Sequence, residues 1–271
     1  MKQTERPIGV FDSGIGGLTV VSQILRQMPQ ESVVYFGDTA RVPYGSKSRE
    51  VVTKFSVEIA SFLLKSHIKM LVVACNTASA FALVQLKNML KIPVIGVIEP
   101  GARAAADATE NGRIGVIGTQ GTIASLSYTH AINRIDRSRK VFPMACPLFV
   151  PLVEEGWLDN NITYDVAKKY LLPFKMKKID TLVLGCTHYP LLKKPVQSIV
   201  GKGVRLIDSA FSTAQEVKRV LEKEGMANSG IKKPKHVFYV SDSPDKFKAV
   251  GEKFLGKPLG KVVRVNVEER S

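Results

Sequence analysis

Two cysteines occupy positions at which thiol chemistry could take place. Cys75 and Cys186 each follow a short apolar run with the composition of a buried strand, and each precedes a predicted helix or turn. The first turn of a helix offers unpaired N–H groups, which favour a thiolate and suit a bound carboxylate. Either cysteine alone could be an ordinary buried thiol. The polar residues after both favour a functional pair: Asn76 and Thr77 follow the first cysteine, Thr187 and His188 the second.

Several kinds of thiol chemistry fit this pair poorly. Zinc is disfavoured because neither cysteine has a second one at CxxC spacing, so we expect no metal. Segments 75–80 and 186–191 contain no arginine to close a phosphate loop, as a cysteine phosphatase requires. A dithiol redox pair stays open, although no resolving motif lies between the cysteines, and a hydrolase would leave one thiol idle. Two thiols on opposite sides of one carbon could remove a proton and return another, which inverts a stereocentre.

The chain also contains a weak internal repeat. Segments beginning at Ile8, Leu71 and Val97 match segments beginning at Ile114, Leu182 and Leu206, at offsets of 106, 111 and 109 residues. Three matches in the same order predict two similar lobes. We place the first lobe at 1–98 plus 208–271, completed by the tail after Lys235, and the second at 99–207.

Short apolar strand patterns alternate with helix patterns along the whole chain. Strands are predicted at 8–11, 33–36, 70–74, 94–97, 114–117, 140–142, 181–184, 204–207, 236–240 and 261–267. Helices are predicted at 17–27, 48–66, 78–87, 165–172 and 213–224, among others. This alternation favours an α/β fold with mainly parallel sheets. Ligands of such sheets bind at the carboxyl ends of the strands, so we expect the active site in the cleft between the lobes.

Composition and charge restrict the class of protein. With 271 residues, 45% apolar and 23% charged, the chain is typical of a globular protein. No apolar run approaches the ~18 residues of a membrane helix, and no signal peptide is recognisable, so we expect no membrane partner. Three cysteines do not make a disulfide framework, which favours the reducing cytoplasm.

The net charge of +15 raises the question of a nucleic-acid partner. The basic residues lie in scattered clusters without interleaved aromatic residues, and no known nucleic-acid-binding signature is present. We therefore interpret the charge mainly as a solvated surface that would also attract small anions.

Five segments, in order, resemble the glutamate racemases of the aspartate/glutamate racemase family. They are FDSGIGGL at 11–18, DTARVPYG at 38–45, ACNTAS at 74–79, PLVEEG at 151–156 and LGCTHYPL at 184–191. The similarity is collinear from about residue 7 to residue 256. A single Cys-Asn-Thr would be weak evidence, but five ordered segments are highly specific.

The resemblance implies a racemase without a cofactor that interconverts L- and D-glutamate and supplies D-glutamate for peptidoglycan, cell-wall biogenesis and cell shape. It implies that Cys75 handles the proton of the D-enantiomer and Cys186 that of the L-enantiomer. Supporting acid/base groups would be Asp12 beside Cys75, and His188 with Glu154 beside Cys186. The implied substrate contacts are Asp12, Ser13, Tyr44, Gly45, Asn76, Thr77, Thr187 and His188. A homodimer is compatible with the family.

The proposed chemistry is demanding because no pyridoxal ring takes up the electrons of the carbanion. Aimed donors and exclusion of water must stabilise the charge instead. One cysteine must be thiolate while the other is thiol, so we expect a bell-shaped pH profile. Two alternatives stay open: an aspartate racemase of the same superfamily, and a basic protein that binds nucleic acid or a topoisomerase and racemises only secondarily.

Overall fold

The computed structural model describes residues 2–230, 233–256 and 258–267. Each of the ten predicted strands is present within these residues, although the last is shorter than predicted. The strands are β1 (Ile8–Asp12), β2 (Val33–Gly37), β3 (Met70–Val73), β4 (Val94–Gly96), β5 (Arg113–Gly118), β6 (Lys140–Ala145), β7 (Thr181–Gly185), β8 (Arg205–Asp208), β9 (His236–Val240) and β10 (Val262–Arg264).

Helices connect most of these strands. They are α1 (Leu18–Gln27), α2 (Arg49–Leu64), α3 (Asn76–Met89), α4 (Ile98–Ala108), α5 (Gln120–Ala124), α6 (Ser127–Ile135), α7 (Phe149–Glu154), α8 (Asn161–Lys177), α9 (Lys193–Val200), α10 (Ser209–Lys223) and α11 (Pro244–Leu255). Helix α8 extends beyond its predicted end, because it continues through Pro173 and buries Phe174 in the core. None of the described helices is long and apolar enough to cross a membrane.

The strands form two parallel sheets, as the alternating pattern predicts. One has the order β10-β9-β2-β1-β3-β4 and the other β6-β5-β7-β8. The order β2-β1-β3-β4 therefore recurs as β6-β5-β7-β8, and the strands that the sequence repeat matches hold equivalent places. Strands β9 and β10 extend only the first sheet, through parallel pairing of β9 with β2. The exact lobe boundaries, after 98 and after 207, stay a prediction.

Both faces of each sheet are buried, which explains the continuous apolar runs in the sequence. In β3, Met70 and Val72 contribute to the core on one face while Leu71 and Val73 contribute to the core on the other. Strand β7 divides its side chains between two cores in the same way. The side chains of the strands are thus occupied by packing, and polar side chains are concentrated where strands end.

A buried ion pair stabilises the amino end of the first sheet. The Lys69 ammonium lies 2.6 Å from a carboxylate oxygen of Glu31 and donates to the carbonyls of Thr4 and Met226, each at 2.8 Å. Burial lowers the pKa of Lys69. The pair joins the start of β3 to the segments before β1, before β2 and after α10.

Replacing Lys69 with Met would leave the Glu31 carboxylate buried without its cation. We expect the free energy of unfolding to fall by about 3–5 kcal/mol, measured by urea denaturation. The control is Lys168→Met, which breaks an exposed 3.2 Å pair with Asp165 and should cost less than about 1 kcal/mol. Equal losses in the two variants would contradict a stabilising role for the buried pair.

Candidate active site

Cys75 lies at the carboxyl end of β3 and caps α3. Its sulfur accepts a hydrogen bond from the backbone N–H of Ala78 at 3.5 Å and lies 3.7 Å from the hydroxyl of Ser13. Burial raises the pKa of the Cys75 thiol to about 12, and the negative charge of Asp12 adds to the rise. Cys75 is therefore a thiol at neutral pH.

Asp12 ends β1 and is fully buried behind the cavity. One of its oxygens accepts the backbone N–H groups of Gly14 at 3.2 Å and Gly17 at 2.9 Å. Its other oxygen, Oδ1, is buried and has no hydrogen-bond partner within the residues that the structure describes. Burial raises the pKa of Asp12. The glycine segment after β1 thus wraps around a carboxylate that retains an open acceptor.

Cys186 follows β7 and lies against an imidazole. Its sulfur is 3.8 Å from Nδ1 of His188, and Nε2 of His188 is 3.2 Å from a carboxylate oxygen of Glu154, the last residue of α7. Burial alone would lower the pKa of His188, but its bonds to Cys186 and Glu154 outweigh burial and raise the pKa to about 10. The bond to His188 lowers the pKa of Glu154. His188 is therefore an imidazolium at neutral pH, adjacent to a thiol that it can hold as thiolate.

The two residues after Cys75 are held from the side of the second sheet. The hydroxyl of Thr77 lies 2.9 Å from that of Thr119 and 3.2 Å from that of Thr122. Asn76 accepts a hydrogen bond from the Tyr128 hydroxyl at 2.8 Å. Neither Thr119 nor Tyr128 is among the predicted site residues. Gly118 and Thr119 do form a polar cluster after a predicted strand, at the end where ligands bind, whereas no sequence signal marks Tyr128.

The segment before α2 closes one side of the site. Tyr44 is buried and its hydroxyl donates to the Asp38 carboxylate, so the side chain is fixed from behind. Gly45 lies so close to the second sheet that a Cβ there would be 2.5 Å from Cβ of Thr119. The backbone at Tyr44 and Gly45 therefore forms part of the wall.

The predicted site residues lie together. Apart from Asp12, all of them line one cavity of about 30 Å³, together with Val42, Pro43, Thr119 and Val150. Both cysteines reach this cavity, each from the equivalent strand of its own sheet. A water needs roughly 10–15 Å³ of such space, so the cavity holds about two waters and must open to admit an amino acid. Larger cavities of about 170 and 270 Å³ border it at Val42 and Glu154.

The third cysteine lies outside the site. Cys146 is fully buried in a core cluster of the second sheet and does not line the cavity. Among the described residues, no three His, Cys, Asp or Glu side chains group as metal ligands would. Thr19 donates to the carbonyl of Gly16 at 2.8 Å, so the glycine segment forms the start of α1.

Comparisons with known proteins identify the family. The model of the Asp/Glu/Hydantoin racemase family matches residues 8–217. The chain is 54% identical to a glutamate racemase of Geobacter metallireducens over 263 residues, which are 97% of either chain. Glutamate racemase isoform RacE1 of Bacillus anthracis has a TM-score of 0.94 at 45% identity, covering 97% of this chain and 98% of its own.

A Francisella tularensis glutamate racemase in complex with D-glutamate has a TM-score of 0.93 at 40% identity, with 98% and 99% of the two chains covered. The chain belongs to the Asp/Glu/Hydantoin racemase family. The resemblance of its five sequence segments to glutamate racemases is thereby confirmed.

Gly16 supplies a test of the contact between His188 and Cys186. A Cβ at Gly16 would lie 2.7 Å from Nδ1 of His188, so Gly16→Ala must displace the imidazole. We expect the pKa of His188, followed by NMR of its ring, to fall below the wild-type value. Burial lowers this pKa, and in the variant fewer hydrogen bonds to His188 would oppose that effect. The control is Gly203→Ala, whose Cβ meets nothing within 4 Å and should leave the titration unchanged. An unchanged His188 titration in Gly16→Ala would refute the role of that contact.

Proposed function

We propose that this chain is a glutamate racemase that interconverts L- and D-glutamate by moving the Cα proton between two cysteines. The observation that carries the proposal is the placement of Cys75 and Cys186 at one cavity, at equivalent strand ends of two similar sheets. The extent of the similarity supports it, since the relatives named glutamate racemase match over nearly their full lengths.

The neighbours of the two sulfurs support different resting charges. His188 is an imidazolium beside Cys186, so we assign the role of base in the L-to-D direction to Cys186, whereas burial and Asp12 keep Cys75 a thiol, which suits the role of acid. In the L-to-D direction, the Cys186 thiolate takes the Cα proton of L-glutamate and becomes a thiol. The Cys75 thiol gives its proton to the opposite face of the carbanion and becomes a thiolate. The reverse reaction exchanges the two roles.

Donors on both sides of the cavity suit the charge that develops during this transfer. As the Cα–H bond breaks, negative charge spreads from Cα into the substrate carboxylate. The N-terminus of α3 and the side chains of Asn76 and Thr77 supply donors for that carboxylate. Ser13 and Thr187 line the same space. The negative charge of Asp12 raises the pKa of Cys75 and so favours the thiol from which Cys75 gives its proton.

The proposed activity implies a biological setting. D-glutamate is a building block of peptidoglycan, so the chain would act in cell-wall biogenesis and the maintenance of cell shape. We place the reaction in the cytoplasm, where thiols stay reduced, and infer a homodimer as its assembly. The net charge of +15 would attract the glutamate anion.

Circular dichroism of L-glutamate tests the function directly. We expect the wild-type protein alone to bring the signal of L-glutamate to zero, as the two enantiomers become equal, and to leave L-aspartate unchanged. Cys75→Ser and Cys186→Ser should each lose at least about 10²–10⁴-fold in rate, because a serine hydroxyl is a far weaker acid and does not replace the thiolate.

The matched control is Cys146→Ala, which removes a buried thiol outside the cavity and should retain activity. Racemisation of aspartate but not glutamate would keep the mechanism and change the substrate. No racemisation of either amino acid would overturn the proposal.

The pH dependence tests the charge on His188. Below a pKa of about 10 the imidazolium is present and stabilises negative charge, and above that value the charge is lost. We therefore expect kcat/KM for glutamate to decline as the pH rises through about 10. His188→Asn has no such charge at any pH, so its kcat/KM near neutral pH should be about 10²-fold lower. Its alkaline limb should move toward pH 12, where the Cys75 thiol ionises. If kcat/KM declined near pH 10 in both the wild type and His188→Asn, ionisation of His188 would not be the cause of the decline.

A further inference from the structure

The oxygen and the nitrogen of the Asn76 side-chain amide differ in their hydrogen bonding. It is buried and lines the cavity. Its Oδ1 accepts the hydrogen bond from Tyr128, at 2.8 Å, while its Nδ2 is buried without a hydrogen-bond partner within the described residues. A buried amide donor without a partner is costly, unless a ligand supplies the acceptor. The open donor therefore indicates a ligand oxygen in the cavity.

Tyr128 determines which end of Asn76 faces that oxygen. Tyr128 is buried in α6 and does not line the cavity. A tyrosine hydroxyl has one proton to donate. Since Oδ1 of Asn76 can only accept, the Tyr128 hydroxyl donates that proton to Asn76. Burial raises the pKa of Tyr128, so the hydroxyl keeps the proton that it donates.

The orientation of this amide matters because its two ends have opposite polarity. With Oδ1 bonded to Tyr128, the N–H groups of Nδ2 remain for the ligand. With the amide reversed, its oxygen would face the ligand instead and repel an anion. Without the Tyr128 hydroxyl, none of the groups named here would favour one orientation of the Asn76 amide over the other.

We propose that Tyr128 is a positioning residue, which fixes the Asn76 amide with Nδ2 directed at the substrate carboxylate. This inference rests on the proposed racemisation of glutamate. The hydrogen bond also connects the two sheets, because Asn76 follows β3 of the first sheet while Tyr128 follows β5 of the second. The hydroxyls of Thr119 and Thr122 hold Thr77 from the same side.

Tyr128→Phe, which removes only the hydroxyl, tests the proposal. The carboxylate is already charged in the bound substrate, so most of the lost interaction is made in the ground state as well and appears in KM. The charge that the carboxylate gains during proton transfer accounts for a smaller loss in kcat. We expect KM for glutamate to rise about tenfold and kcat to change by less than about threefold. In an Asn76→Ala background, the same substitution should have no further effect, because Tyr128 acts through Asn76. The control is Tyr164→Phe, which removes an exposed hydroxyl bonded to Asp159 and should leave both constants unchanged.

The outcomes separate this inference from the proposed function. An active wild type with a Tyr128→Phe variant of unchanged KM overturns the inference alone. So does an effect of Tyr128→Phe that persists undiminished in the Asn76→Ala background, since a general loss of packing would be additive. A wild type that racemises no glutamate overturns both.

Discussion

A thiolate buried away from water is stable only if a positive charge lies next to it, and the site is arranged around this requirement. His188 supplies the charge beside Cys186, and Glu154 stabilises the imidazolium from its other side. Cys75 has the opposite environment, because its charged neighbour is the Asp12 carboxylate. In the proposed mechanism, two side chains of the same type thereby serve as a base and an acid, which is how paired groups with different surroundings divide acid/base work.

This arrangement depends on close approach between the two sheets. The glycine segment after β1 wraps around Asp12 and also touches the imidazole of the second sheet, because Gly16 leaves no room for a Cβ beside His188. The Tyr35 hydroxyl donates to the carbonyl of Gly14 at 2.8 Å, which fixes the segment from below. Glycine, which has no Cβ, therefore lets the two sheets approach closely enough for Cys75 and Cys186 to line the same cavity of about 30 Å³.

The sequence predicts the strands and the cavity residues well for a physical reason. Strands buried on both faces are short apolar runs, and the polar residues at their carboxyl ends converge in a parallel sheet. Contacts between elements leave no such periodic signal. Tyr128 lies in α6, for which no specific range was predicted, and its proposed role depends on the amide that its hydroxyl contacts across the two sheets. Helix α3 begins at Asn76, two residues before its predicted start, because the Cys75 sulfur caps it in place of a typical capping side chain.

The two similar sheets differ in the charged side chains that lie next to their cysteines. The sequence suggests that helix N-termini favour both thiolates. In the structure, Cys75 caps the 14-residue helix α3, yet burial and Asp12 outweigh the bond from Ala78 and raise its pKa. Cys186 precedes only a short 3-10 turn, Tyr189–Leu192, and its charged neighbour is the His188 side chain. Side-chain neighbours, and not helix dipoles, distinguish the two sulfurs. A repeated backbone can therefore present two cysteines symmetrically while single residues such as Asp12 and His188 decide which of them holds the proton.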